Sequence, residues 1–251
     1  MKFEIVTIFP DFFRGPLAYG IVRRAREAEL IEISIHDLRA FAADKHKTVD
    51  DRPFGGGEGM VLKLEPIFEC VESLKVAPRE ARLSATARET VILLSPQGRM
   101  FTQTVAQELA KLERVVLLCG RYEGVDERVA ENLADREVSI GDYVLSGGEL
   151  GAAVMLDTIT RLLPGALGNE ASARQESFTA GEKASMEGPD STCASGGLLD
   201  YPQYTRPAEF RGMSVPQVLI GGNHEQIRKW RREKAIEKTR RNRPDLVKGS
   251  T

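Results

Sequence analysis

Two short, unbroken apolar runs, Val91-Ile92-Leu93-Leu94 and Val115-Val116-Leu117-Leu118, restrict the possible folds more than any other feature. A strand with one wet face alternates apolar and polar residues. An unbroken run is what a strand buried on both faces requires, and parallel sheets covered by helices on both sides meet that condition. The segment from Thr102 to Leu112 carries a helical pattern, so the two runs form a strand–helix–strand unit.

The rest of the first two thirds repeats the alternation. Phe3 to Ile8 reads as a strand, Pro16 to Leu30 as a helix, and Ile31 to Ile35 as a half-buried strand with a period of two. Leu64, Ile67, Phe68 and Val71 share one face of a helix over Leu64 to Leu74, while the charged stretch from Pro78 to Arg88 has no period and reads as an exposed connection. A further strand covers Glu137 to Ile140, and a helix from Gly148 to Leu163 is ended by Pro164-Gly165. These elements predict an α/β domain over residues 1–165, with helices packed on a mostly parallel sheet.

Beyond it the composition changes. Residues 166–197 are rich in small and polar side chains and read as a flexible linker or lid; residues 198–251 form a small C-terminal domain. The segment His224 to Arg243 is a charged helix with nine basic residues and three acidic ones, in a chain whose formal net charge is −2. Such a run can be no more than a solvated helix face. With Ile227, Trp230 and Ile236 as an apolar stripe, it can also pack and turn a basic side outward to grip phosphates.

Composition excludes several classes. No apolar stretch approaches the roughly 18 residues of a membrane span, and the first residues, Met1-Lys2-Phe3-Glu4-Ile5, do not resemble a secretory signal. Cys70, Cys119 and Cys193 are odd in number and widely spaced, as reduced cytoplasmic thiols are. His36, His46 and His224 are equally scattered, so no structural zinc spacing exists.

Three glycine-bearing segments follow predicted strands: Leu94-Ser95-Pro96-Gln97-Gly98, Cys119-Gly120-Arg121-Tyr122-Glu123-Gly124, and Ile140-Gly141-Asp142-Tyr143-Val144-Leu145-Ser146-Gly147-Gly148. Parallel sheets hold nucleotide-type ligands at such ends, where backbone N–H groups converge. Neither G-x-G-x-x-G nor a Gly-Lys pair is present, so a dinucleotide fingerprint and a Walker A loop are absent. One such loop alone is usually just a turn. Three in succession point to a shared pocket for a ligand held mainly by backbone, of adenosine size and modest charge.

The same segments carry a resemblance. The stretch from Asp44-Lys45-His46-Lys47-Thr48 through Val49-Asp50-Asp51-Arg52-Pro53-Phe54 to Gly55-Gly56-Gly57 resembles the signature loop of bacterial tRNA (guanine-N1)-methyltransferases. The three glycine loops are similar too, extending to Val125-Asp126-Glu127-Arg128 and starting at Ser139, as are Pro164-Gly165, the run from Gly197 to Pro207, and Gly222-Asn223-His224. The likeness runs, in order, through nearly the whole chain.

That resemblance implies a SPOUT-class fold, an α/β methyltransferase domain tied in a trefoil knot with a small helical C-terminal domain, in a homodimer whose active site lies at the subunit interface. It implies S-adenosylmethionine bent into the knot, held by Leu94, Ser95, Pro96, Gly120, Tyr122, Glu123, Gly124, Ser139, Ile140, Gly141, Asp142, Tyr143, Val144, Leu145, Gly147 and Gly148. The implied substrate is tRNA with guanine at position 37, immediately 3′ of the anticodon, where methylation guards the reading frame. A magnesium requirement is implied as well, with no site evident from the residues.

Guanine N1 carries a proton and is a poor nucleophile until that proton leaves. A carboxylate beside N1 and a cation beside O6 would serve as general base and charge stabiliser. The family's base lies in an Asp-Ser-Phe motif; the matching residues here are Glu176-Ser177-Phe178, so the carboxylate stands one methylene further from the backbone. Arg161, at the end of the preceding helix, is the matching cation, and Glu123 matches a residue near the sulfonium or the magnesium. His46, Asp50, Arg52 and Asp200 are the residues expected to face the substrate. Asp50, Asp51 and Arg52 could instead pair with one another and pin the loop. A knotted methyltransferase acting on another RNA, such as ribosomal RNA, and a catalytically silent dimeric RNA-binding protein are the other readings; the Glu-for-Asp change alone favours the second.

Overall fold

The computed structural model describes residues 1–168, 176–178 and 197–247, and the chain divides into two compact units, Met1–Gly168 and Asn169–Thr251. The first is built on a five-stranded parallel sheet. Its strands are β1 (Lys2–Thr7), β2 (Glu32–Asp37), β5 (Glu89–Met100), β6 (Arg114–Cys119) and β7 (Arg136–Ser139), in the order β2-β1-β6-β5-β7. A two-stranded antiparallel pair, β3 (Asp50–Asp51) and β4 (Val61–Leu62), stands apart from it.

The unbroken apolar runs are buried on both sides. Along β6, Val115, Leu117 and Cys119 face one cluster while Val116 and Leu118 face the other; in β5, Ile92 and Leu94 oppose Val91 and Leu93 in the same way. One cluster is completed by α1 (Gly20–Glu27), α4 (Gln103–Leu109) and α6 (Glu149–Thr160), the other by α2 (Leu64–Ser73) and α5 (Glu127–Asn132). Truncating one of these central residues, such as Leu117, to Ala would cost about 2–5 kcal/mol. Glu4 is 1 % exposed in this interior. It is held by His36 at 2.7 Å and Lys2 at 2.9 Å. Burial pushes its carboxyl up, but the hydrogen bonds from His36 and Lys2 outweigh burial and hold it below the usual range.

Four expectations need correction. The helix expected over Pro16 to Leu30 begins only at Gly20, because Pro10–Arg14 and Pro16–Ala18 form separate 3₁₀ turns; it stops at Glu27, with Glu29 left-handed at φ 55°. The connection from Pro78 to Arg88 contains α3 (Arg79–Arg82), and Arg82 is buried. Its guanidinium reaches Asp135 at 2.8 Å and the carbonyls of Ala77 and Leu133, so a charged run conceals a structural clamp. The run at Val91–Leu94 is half of a longer strand whose second part rejoins β7 after a register shift between Leu94 and Arg99. The segment Glu127–Asn132, expected only as part of a loop motif, is a helix capped by Asp126, whose Oδ1 accepts from Arg128 N at 3.0 Å.

In the second unit, a hairpin of β8 (Glu209–Phe210) and β9 (Met213–Ser214) precedes α7 (Gln217–Ile220) and α8 (His224–Asn242). Asn223 caps α8 by accepting from the backbone N–H groups of Glu225 and Gln226. Ala235 and Thr239 are buried beneath α8, with Ile227, Trp230 and Ile236 partly so. Arg228, Lys229, Arg231, Arg240 and Arg241 are exposed. Thr239 Oγ1 also accepts from Leu199 N at 2.9 Å, which ties the stretch after Gly197 to the helix.

Candidate active site

The middle of β5, where its register shifts, and the C-terminal ends of β6 and β7 open onto one cavity of about 350 Å³. That lies in the range of small-ligand sites. Of the residues expected to hold the donor, Leu94, Ser95, Pro96, Gly120, Tyr122, Glu123, Gly124, Ser139, Ile140, Gly141, Tyr143, Val144, Leu145, Gly147 and Gly148 line it. Asp142 does not; it is exposed.

Glycines let the loops close on one another. A Cβ on Gly98 would stand 2.3 Å from Val138 N and 2.4 Å from Glu137 C, so only glycine lets the bulge in β5 lie against β7. A Cβ on Gly148 would stand 2.8 Å from Cys119 Cα and 3.0 Å from Gly120 N. Gly148 N donates to Gly120 O at 2.9 Å, and Arg121 bridges Gly147. The segment after β7, an edge strand, therefore returns across β5 to the end of β6 before α6 begins. Tyr143 folds back over Gly141, with its hydroxyl donating to Ile140 O at 3.2 Å.

The signature loop is fastened to the middle wall of this cavity. Glu123 N donates to Met60 O at 3.0 Å, Leu62 N to Gly124 O at 3.0 Å, and Asp126 N to Leu62 O at 3.0 Å. Tyr122, left-handed at φ 61°, bridges Val61. Within the loop, Asp50 pairs with Leu62 in β3–β4, while His46 and Arg52 are exposed. The alternative of an ion-paired pin is not what holds the loop. Asp51 accepts from the backbone N–H of Arg52 at 2.7 Å, Asp44 from that of Thr48 at 2.7 Å, and no ion pair among the described residues joins Asp50, Asp51 and Arg52.

The match to known proteins extends over the whole sequence. The tRNA (Guanine-1)-methyltransferase TrmD family model matches residues 1–249. A tRNA (guanine-N(1)-)-methyltransferase from Koribacter versatilis (strain Ellin345) is 67 % identical over 250 residues, covering 100 % of this chain and 93 % of that protein. Proteins of the same name from Geobacter metallireducens and Moorella thermoacetica are each 51 % identical over 247 residues, with 98 % of this chain covered and 91 % and 90 % of theirs. The chain belongs to the tRNA (guanine-1)-methyltransferase family.

As a tRNA (guanine-1)-methyltransferase it also contains site residues that the sequence did not reveal. Glu149, at the start of α6, is 1 % exposed; it accepts from Thr7 Oγ1 at 2.8 Å and from Arg121 Nε at 3.2 Å. Arg121, which lines the cavity, stands over the Phe9 ring at 4.5 Å. A Cβ on Gly147 would meet Arg121 Nε at 2.2 Å. The partners lie up to 142 positions apart, so no local pattern could have found them. Gln97, Val125, Glu127 and Val138 also line the cavity and were missed; the first three lie inside the motifs already recognised, and Val138 immediately precedes the third.

Arg161 caps the C-terminus of α6, its N–H donating to Asp157 O at 3.1 Å, and is half-buried. In the second unit, Glu176-Ser177-Phe178 is hydrogen-bonded to the stretch after Gly197: Phe178 N donates to Leu198 O at 3.1 Å and Asp200 N to Ser177 Oγ at 2.9 Å. Asp200 thereby supports the motif that carries Glu176. No group of three or more His, Cys, Asp or Glu side chains among the described residues could hold a metal ion. The described residues thus form no magnesium cage. Among them no helix is long and apolar enough to cross a membrane.

Proposed function

We propose that this chain transfers a methyl group from S-adenosylmethionine to N1 of guanine 37 of tRNA, 3′ of the anticodon, and so maintains the reading frame. The carrying observation is the single cavity walled by all three glycine loops, in a chain of this family. When bound there, S-adenosylmethionine supplies a methyl group on a sulfonium. Its adenosine suits a site of this size lined by apolar side chains and glycines of all three loops, and Glu123 offers a carboxylate to its cationic end.

Arg161 then stands beside guanine O6 and Glu176 takes the N1 proton. S-adenosylmethionine held there would supply the methyl group to N1, leaving its sulfur as a neutral thioether, while the N1 proton would pass to the Glu176 carboxylate. Assistance of this kind is worth on the order of 10²–10⁴-fold. His46, Asp50, Arg52 and Asp200 read the nucleotides around the target. Because N1 lies on the pairing edge, the guanine must leave its stack to react.

The catalytic domain spans residues 1–165, the linker 166–197 and the tRNA-binding helical domain 198–251. A trefoil knot of the SPOUT type is supported by the return of the chain from β7 to the end of β6, pressed there by Gly148. Phosphate binding by the last domain is supported by the exposed arginines of α8. The working form is a homodimer with the active site at the subunit interface. Leu150 and Val154, exposed one turn apart on α6, supply an apolar stripe for it. Cytoplasmic residence is supported by the free, buried thiols of Cys70 and Cys119.

The test is methyl transfer from labelled S-adenosylmethionine, with magnesium, to tRNA transcripts carrying guanine or adenine at position 37. Transfer to the guanine transcript alone is expected. Transfer to the adenine transcript contradicts the proposal, and transfer to neither leaves a silent RNA-binding protein.

A further inference from the structure

Phe54 is 100 % exposed, the largest apolar exposure in the described chain. The whole surface of its ring is therefore open to contact, whereas the exposed rings of Tyr19, at 74 %, and Phe210, at 53 %, are partly covered. Its surroundings are kept bare. Gly55, Gly56 and Gly57 follow it with φ of 85°, 78° and 129°, a backbone that excludes other residues, and no atom lies within 4 Å of where a Cβ on Gly55 or Gly56 would stand.

The loop that presents Phe54 is anchored. Its far end is hydrogen-bonded to the cavity wall through Met60 and Leu62, and its near end pairs through Asp50 and Asp51. Two of its carboxylates, Asp44 and Asp51, are engaged by backbone N–H groups of the loop itself. Lys45, His46, Lys47 and Arg52 are exposed. An exposed ring on a loop hydrogen-bonded to the wall of the methyl-transfer cavity has the chemistry of a base-stacking platform.

We propose that Phe54 stacks on an unpaired tRNA base adjacent to the target guanine, covering the face uncovered when that guanine leaves the stack. This rests on the function proposed above. Flipping a base costs its neighbour a stacking partner, and a protein ring that replaces it lowers the cost of extrusion. Every base has a π-face, so such a contact adds affinity without choosing a sequence.

The experiment compares the full-length wild-type protein with Phe54→Ala, Phe54→Leu and Phe54→Tyr, measuring kcat and KM for tRNA, donor affinity by calorimetry, and oligomeric state by sedimentation. Phe54→Ala is expected to raise KM for tRNA about tenfold or more. Phe54→Leu, which keeps the apolar bulk and loses the π-face, stays as impaired, and Phe54→Tyr recovers to near wild type. Donor affinity and oligomeric state are unchanged in all three. A wild-type KM in Phe54→Ala, full recovery in Phe54→Leu, or a change of oligomeric state overturns the inference while leaving the proposed function standing. A wild-type protein that methylates no tRNA overturns both.

Discussion

Replacing Gly98 by Ala tests how closely the first and third walls of the cavity depend on each other. The new methyl carbon would stand 2.3 Å from Val138 N, 2.4 Å from Glu137 C and 2.6 Å from Val138 Cα, all backbone atoms. Ordinary contact begins near 3.4 Å, so β7 must retreat by about 1.1 Å. β7 is a four-residue edge strand paired only to β5, so it can move, but at the expense of the pairing of Leu94 and Arg99 with Val138. Overpacking of this kind costs about 1–3 kcal/mol. For a unit of this size that lowers Tm by roughly 2–4 °C per kcal/mol, so a loss of about 2–12 °C is expected. Ser139 to Gly141 move with β7, and donor affinity should fall about tenfold, equivalent to roughly 1.4 kcal/mol. Gly15→Ala is the control, since φ there is −75° and nothing lies within 4 Å of its Cβ position. Calorimetric unfolding and donor titration of both variants decide the matter. If Gly98→Ala melts with Gly15→Ala and binds donor like wild type, the close approach of β5 and β7 does not shape the cavity.

Two further outcomes follow from buried groups. Glu149→Gln removes the charge that Arg121 faces, and should cost about 1–3 kcal/mol in denaturant unfolding, less than a fully buried pair because Arg121 is partly exposed; donor binding should weaken with it, and a wild-type midpoint and affinity would show that the Glu149–Arg121 pair does not hold the cavity wall. Burial, then the nearby Glu4 charge, pushes the Cys70 thiol up to about 12. The unfolded thiol ionises near roughly 8.5, so above that pH the unfolded state binds fewer protons than the native one and stability falls, by up to about 1.4 kcal/mol per pH unit, until the native thiol titrates. The Tm gap between wild type and Cys70→Ala should therefore shrink from pH 8 to pH 10.5, and a constant gap would contradict this.

Strands β5 and β6 were legible because burial on both faces leaves an unbroken apolar run, and α2 because its apolar face repeats at helical spacing. The three glycine loops were legible as a set, since each follows a strand of one parallel sheet. What stayed hidden depends on contacts between distant residues. Arg82 looks like surface in a charged run until Asp135 and the Leu133 carbonyl close around it. The second half of β5 is concealed by Pro96 and Gly98, which read as a turn and instead form a bulge against β7. Asp142 was grouped with its loop neighbours, but the Tyr143 ring folds over Gly141 and leaves Asp142 outside. Phe54 was visible in the signature loop; only its complete exposure singles it out.

Single-turnover methyl transfer by Glu176→Gln, with donor affinity measured on the same preparation, tests the chemistry most directly. The variant keeps the shape of the side chain and removes the base. Donor affinity should match wild type while the transfer rate to guanine 37 falls by about 10²–10⁴-fold. An unchanged transfer rate would remove Glu176 as the group that takes the N1 proton.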